Sequence, residues 1–249
     1  MAVKLSRQEP NTRYRKWVTA AGMETFCVRV GETDLMVSAH GDIREEAIAS
    51  VRHYRKQIQD YVSRDRQFLE TLSPVPDKGD APEIIRDMIR CSKKAGVGPM
   101  ATVAGAIAQY VGTYLLNLSE EIIVENGGDI FIKSSCRRTI AVYAGNSPLS
   151  GKVYLRVEPE DTPLGVCTSS GTVGHSLSLG KADAVAIYSS SAVLADAVAT
   201  ASCNTVKLSG DLQKGINFAR SIAGITGAAI IYEDKLALWG KARLEESAN

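Results

Sequence analysis

At 249 residues, 45% hydrophobic and 23% charged, the chain has ordinary globular composition and enough length for one large core or two closely packed subdomains. Lys and Arg nearly balance Asp and Glu, for a net charge of +1, which argues against a nucleic-acid partner, because such proteins concentrate basic charge on one face. Apolar windows are broken by Asp, Gln, Ser or Tyr before reaching the roughly 20 residues of a membrane span, so no membrane partner is expected.

The opening MAVKLSRQEPNTRYRKW has no apolar stretch of the secretion-signal type. The five cysteines are isolated and show no metal-ligand spacing, so a reducing, cytoplasmic setting is expected. Residues 14–40 read as two strands: Phe26, Val28 and Val30 alternate with polar neighbours, and Gly31-Glu32-Thr33 turns the chain into Leu35-Met36-Val37. From Ile43 to about Leu72, Ala47, Val51, Tyr54, Ile58 and Tyr61 recur at helical spacing, with Asp42 as the expected N-cap. His53 on this charged helix reads as an exposed or packed histidine rather than a catalytic one. SPVPDKGDAP (residues 73–82) is a linker, and Pro82 opens a helix to roughly Lys93.

A second helix spans Met100 to Leu116, where Gly105 and Gly112 permit close packing; the alternative is that the turn before it faces an anion. EIIVENGGDIFI (residues 121–132) reads as strand, turn, strand, and by itself its Asn126-Gly127-Gly128-Asp129 centre is a hairpin turn. Further strands are expected over 140–143, 153–157, about 165–168 and 184–188. Ser189 to Ser191 then cap a helix from Ala192 to about Cys203. A helix near 212–223 and a hairpin around Glu233-Asp234-Lys235 complete the chain.

The segment from Gly165 to Thr200 carries most of the chemistry. Thr168, Ser169, Ser170 and Gly171 suit a phosphate through N–H groups and hydroxyls, or form an irregular polar loop. His175 suits a phosphate donor or an acid/base, with a structural histidine as an equal rival. Asp196 and Thr200, four apart, share a helix face and form a hard-oxygen pair suited to magnesium or calcium; the rival is an Asp196 bonded to backbone. Cys167 is favoured as a buried thiol over a nucleophile.

Five motifs together resemble a prokaryotic family related to the ApbE flavin transferases. They are GVGPMA (residues 96–101), ENGGDI (125–130), CTSSG (167–171), GHSLSLGKADA (174–184) and LADAVATA (194–201). The resemblance implies an α+β fold with two related T-fold-type sheet-and-helix halves, about 14–130 and 131–240, packed as one unit over 1–249. It also implies a site for FAD or another flavin nucleotide, with magnesium as cofactor, and a transferase that moves FMN onto a threonine of a protein target. On that basis Asn126, Gly127, Gly128 and Asp129 with Thr168–Gly171 contact the ligand, and His175 closes the site. Asp196 and Thr200 hold the metal with a backbone carbonyl from residues 100–104.

Two departures from the transferases bear on activity. Ala104-Gly105 and Gln109 stand where they carry a Lys-Gly pair and an Asp, and His175-Ser176-Leu177-Ser178-Leu179 replaces their His-Ile-Ile-Asp-Pro. The alternatives to a divergent transferase are a non-catalytic small-molecule binder or a scaffold on the same fold. The sequence leaves the oligomeric state open.

Overall fold

The computed structural model describes Val18, residues 20–173 and residues 178–245. The expected first hairpin is present as Glu24–Val30 (β1) and Thr33–Ala39 (β2). Arg44–Arg64 (α1) and Arg66–Glu70 (α2) follow, and four of the five periodic apolar residues of α1 are buried, with Tyr54 half-buried. Ile43, not Asp42, is the boundary residue of α1; Asp42 accepts only a long 3.4 Å bond from Arg44 N. Glu83–Ala95 (α3) starts after Pro82, as expected, and buries Ile84, Ile85, Met88 and Ile89. A 3-10 turn over Pro99–Thr102, with Pro99 at its first position where a missing N–H costs nothing, precedes the next helix, Val103–Leu115 (α4).

The remaining strands are Ile122–Asn126 (β3), Asp129–Lys133 (β4), Arg138–Ala141 (β5), Tyr154–Val157 (β6), Leu164–Ser169 (β7), Ala184–Ser189 (β8), Ile225–Tyr232 (β9) and Lys235–Gly240 (β10). Ala192–Thr205 (α5) and Leu212–Ser221 (α6) lie between β8 and β9. Eight strands form one antiparallel sheet in the order β1-β2-β3-β4-β7-β8-β9-β10. Its two quartets repeat one pattern: a hairpin, helices, then a second hairpin. They meet where β4 pairs with β7 through Ile130–Val166, Phe131–Gly165 and Ile132–Leu164.

β5 and β6 pair with each other, with single bridges from Ile140 to Val18 and from Leu155 to Leu244, and form a third layer. The helices cover one face of the large sheet, burying Val124, Phe131, Cys167, Val185 and Ile187. The small sheet covers the other, burying Ile123, Ile130, Ile132, Leu155, Val166 and Tyr188. Central strands such as β8 are therefore buried on both faces and read as unbroken apolar runs, whereas edge strand β1 alternates.

α5 is the hub of the helical layer. It packs against α3, α4, α6, β7 and β8, and residues 192–203 are all buried. A helix enclosed on every side needs small side chains, which accounts for its alanines. Ser191 caps it, accepting from Leu194 N at 3.3 Å, and donates to Gln109 Oε1 at 3.2 Å. Ser191→Ala should cost about 1 kcal/mol in urea unfolding, the usual value of a lost N-cap.

A buried ion pair ties the small sheet to the large one. Arg138 at the start of β5 donates to Glu121 Oε2 at 2.8 Å, to Ser134 Oγ at 2.8 Å and to Ala21 O at 2.9 Å. Ser135 donates to Glu121 through its backbone N at 2.6 Å and through its hydroxyl. Burial alone would raise the Glu121 carboxyl, but the Ser135 bonds and the Arg138 guanidinium outweigh it and hold the group down from the usual 4.5 to about 2.

Candidate functional site

Four elements converge near the β3–β4 turn. That turn is Gly127-Gly128, at φ 66 and 107, left-handed values that favour glycine. It points Asn126 and Asp129 toward the helical layer. Asn126 Nδ2 donates to Ala104 O at 3.0 Å, joining β3 to the first turn of α4. Asp129 Oδ1 accepts from Thr168 N of β7 at 3.1 Å.

α4 then crosses α5 at very short range. A Cβ on Gly105 would lie 2.4 Å from Ala192 O and 2.8 Å from Asp196 Cβ. The approach lets Gly105 N donate to Asp196 Oδ2 at 2.9 Å, with a further bond from the Ala104 backbone. Asp196 is thus bonded to backbone, the rival reading of the sequence, and this leaves its carboxyl oriented rather than consumed.

The electrostatics of this cluster are unusual. Asp129 and Asp196 are buried, at 7% and 8% exposure. Burial raises both carboxyls above the usual value of 3.8; the charge of Asp196 raises Asp129 further, while N–H bonds from Thr168, Gly105 and Ala104 oppose the shifts. Among the described residues no Lys or Arg pairs with either. The Cys167 thiol lies against Ala192 O at 3.2 Å and against Asp129; burial and the two carboxylates push it up, so it is a buried, unreactive thiol.

Thr200, one turn beyond Asp196, is 3% exposed, and its hydroxyl has no hydrogen-bond partner. An orphaned buried hydroxyl one helical turn from a buried carboxylate fits a hard cation, which takes oxygen ligands of both kinds. No group of three or more His, Cys, Asp or Glu among the described residues forms a metal cluster. A cation here would have few carboxylates and would need hydroxyl, carbonyl, water or ligand phosphate oxygens to complete its shell.

The Thr168–Gly171 segment is less of a loop than its composition suggests. Thr168 and Ser169 end β7, and Ser169 is buried with its hydroxyl also unpartnered. Gly171 N donates to Ala182 O at 2.9 Å, and Ser170 Oγ accepts from Thr172 N and Val173 N. The N–H groups of Thr168 and Gly171 are thus already engaged. His175 lies outside the described residues, as do Gly174, Ser176 and Leu177. Asp183 holds Thr172 Oγ1 at 3.0 Å and Glu233 N at 2.6 Å, while Asn204 holds Leu179 N at 2.7 Å.

Sequence reasoning missed the anchoring role of Asn204 and the whole Glu121–Arg138 pair, because partners 17 or more residues apart leave no local signal. It noted Gln109 as a departure but not its use. Gln109 Oε1 accepts from Ser191 Oγ and from Val193 N at 3.4 Å, so it braces the start of α5.

A cavity of about 220 Å³ lies behind the turn, on the other face of β1–β3, with Thr25, Met36, Ser38 and Glu125 in its wall. It is smaller than the roughly 300 Å³ at the low end of ligand pockets, so it cannot enclose a dinucleotide. A larger hollow, about 490 Å³, runs along the solvent face of α3. In its wall Arg90 pairs with Asp87 at 2.7 Å, and neither Asp129 nor Asp196 lines it.

The fold is that of the ApbE proteins. Vibrio cholerae flavin transferase ApbE matches with a TM-score of 0.60 at 13% identity, covering 88% of this chain and 97% of that one. Pseudomonas stutzeri flavinyl transferase ApbE in its apo form matches with a TM-score of 0.58 at 16% identity, covering 88% and 94%. The chain belongs to the AbpE bacteria family, whose model matches residues 15–226. It is also similar to the UPF0280 protein of Methanocella arvoryzae, 37% identical over 219 residues that cover 88% of this chain and 89% of that protein. The UPF0280 protein of Methanocaldococcus jannaschii is 41% identical over 193 residues, covering 75% and 78%.

Proposed function

We propose that the protein binds a flavin nucleotide or a related phosphorylated ligand, together with a divalent cation, magnesium by preference, held by Asp196 and Thr200. The observation that carries this reading is the orphaned Thr200 hydroxyl one turn from a buried carboxyl that no Lys or Arg among the described residues neutralises. When bound, the cation supplies positive charge against the ligand's phosphates. The chain itself orients the groups. Gly105 N aims the Asp196 carboxyl, Asn126 ties the Ala104 carbonyl to the glycine turn, and Gly127-Gly128 opens backbone there to close approach. The flavin identity rests on the fold likeness to the transferases and on the shared motifs.

Binding without efficient transfer is the favoured form of this reading. Phosphoryl-type transfer depends on positioned charge. Ala104 offers no side-chain charge, and the Gln109 carboxamide is occupied in bracing α5. The free thiols of all five cysteines fit a cytoplasmic protein.

The test is thermal stabilisation of the full chain by FAD with magnesium, alongside mass spectrometry of small molecules retained on natively purified protein. FAD at a hundred times its Kd should add about 2.7 kcal/mol of stability. Asp196→Ala should abolish most of that gain. Equal stabilisation of wild type and Asp196→Ala would remove Asp196 from the site. Release of AMP with labelling of a threonine target would instead favour the divergent transferase.

A further inference from the structure

We propose that Asp129 is a second carboxylate ligand of the cation held by Asp196 and Thr200, so that this site takes a divalent cation before any nucleotide arrives. The inference rests on the reading above and gives Asp129, which the sequence places only in a ligand-contacting turn, a different part.

Asp129 and Asp196 reach one buried space from opposite layers. Asp129 starts β4, and its side chain points to the helices on the face that also holds Phe131 and Cys167. Asp196 comes down from the middle of α5, the helix that packs on β7 and contacts β4. Contacts on both sides join them: Cys167, next to the Thr168 N that holds Asp129, meets Ala192 O at 3.2 Å one turn before Asp196, and Asn126, paired with Asp129 across the turn, bonds the carbonyl of the same Ala104–Gly105 peptide whose N–H holds Asp196. Each is fixed by a backbone donor from a third element, Thr168 N for Asp129 at 3.1 Å and Gly105 N for Asp196 at 2.9 Å.

Two carboxylates buried together repel strongly, and a protein relieves this with a basic side chain, a shared proton or a metal ion. No basic side chain among the described residues serves either group. The Thr200 hydroxyl decides between the other two. It is 3% exposed, lies on the Asp196 face of α5 and has no protein partner. A shared proton leaves that hydroxyl orphaned, whereas a cation uses it. Magnesium commonly takes one or two carboxylates and fills the rest of its shell with water and phosphate oxygens. Two carboxylates and a hydroxyl suffice to hold it without the phosphates.

The full chain, free of nucleotide, is titrated with Mn²⁺ as a spectroscopic stand-in for magnesium, and free Mn²⁺ is read by electron paramagnetic resonance. Wild type should bind about one equivalent. Asp129→Asn keeps an oxygen for Thr168 N and should bind Mn²⁺ at least tenfold more weakly, and Asp196→Asn should bind none. In EDTA, Asp129→Asn should melt at or above the wild-type temperature, since one of two apposed buried carboxyls is replaced by an amide that keeps the bond from Thr168 N. An Asp129→Asn protein that binds Mn²⁺ as tightly as wild type overturns the inference and leaves the proposed function standing. So does a wild type that binds Mn²⁺ only when FAD is present. A marked fall in the EDTA melting temperature also overturns it, because Asp129 is then a structural acceptor. Absence of Mn²⁺ binding with and without FAD sinks both readings.

Discussion

Gly105→Ala is expected to destabilise the protein by about 3 kcal/mol, the upper end for overpacking a filled core. Helix propensity alone pushes the other way, because alanine in a helix interior is better than glycine by about 1 kcal/mol. The clash wins. The new methyl meets Ala192 O at 2.4 Å, and that atom is backbone in the first turn of α5, with no rotamer to escape into. Relief requires α4 and α5 to separate. Separation lengthens the 2.9 Å bond from Gly105 N to Asp196 and releases the carboxylate from its orientation. Urea unfolding should therefore show the stability loss, and stabilisation by FAD with magnesium should fall in the same variant. A Gly105→Ala protein as stable as wild type would contradict the close crossing.

Arg138→Met should cost about 3–5 kcal/mol, the usual penalty for leaving one partner of a buried ion pair alone. Glu121 has 8% side-chain exposure and Arg138 has 3%, so water cannot replace the lost guanidinium. Paired Glu121 has a folded pKa of about 2 against the usual 4.5. Its contribution to stability is therefore complete above about pH 4.5 and is lost as the pH falls toward 2. Wild-type unfolding free energy should decline across that window, and Glu121→Gln should flatten the decline by one proton equivalent. The double variant Arg138→Met, Glu121→Gln should recover part of the single-variant loss, because it buries no unpaired charge. Urea titrations at pH 7, 4.5 and 2.5 read all three effects. A single-variant loss below about 1 kcal/mol would mean that the pair behaves as a surface one.

Much of the fold was legible because its elements carry their own local codes. Periodic apolar residues marked α1, Pro82 marked the start of α3, and Asn126–Asp129 marked the β3–β4 hairpin. Boundaries failed where tertiary partners intervene. Asp42 lost the cap position to Ile43, and the strands expected over 140–143 and 153–157 form at Arg138–Ala141 and Tyr154–Val157 but as a separate two-stranded layer. Nothing local distinguishes a strand that joins the large sheet from one that lies across it, since both need only alternate or buried apolar residues.

The candidate site divides in the same way. The four-residue spacing of Asp196 and Thr200 is a helix property, so sequence alone put them on one face. The left-handed turn at Gly127-Gly128 is likewise written in residues that tolerate it. The tertiary structure decided which groups meet. It set Asp129 against Asp196 across 67 positions of chain, spent the Thr168 and Gly171 N–H groups inside the protein, and turned Gln109 into a brace for α5. These outcomes depend on a helix crossing close enough to exclude even a methyl group, and on burial that makes unpaired carboxyls and an orphaned hydroxyl costly. Short-range spacing fixes which side chains share a face; only packing of distant segments fixes what that face confronts and how much water remains there.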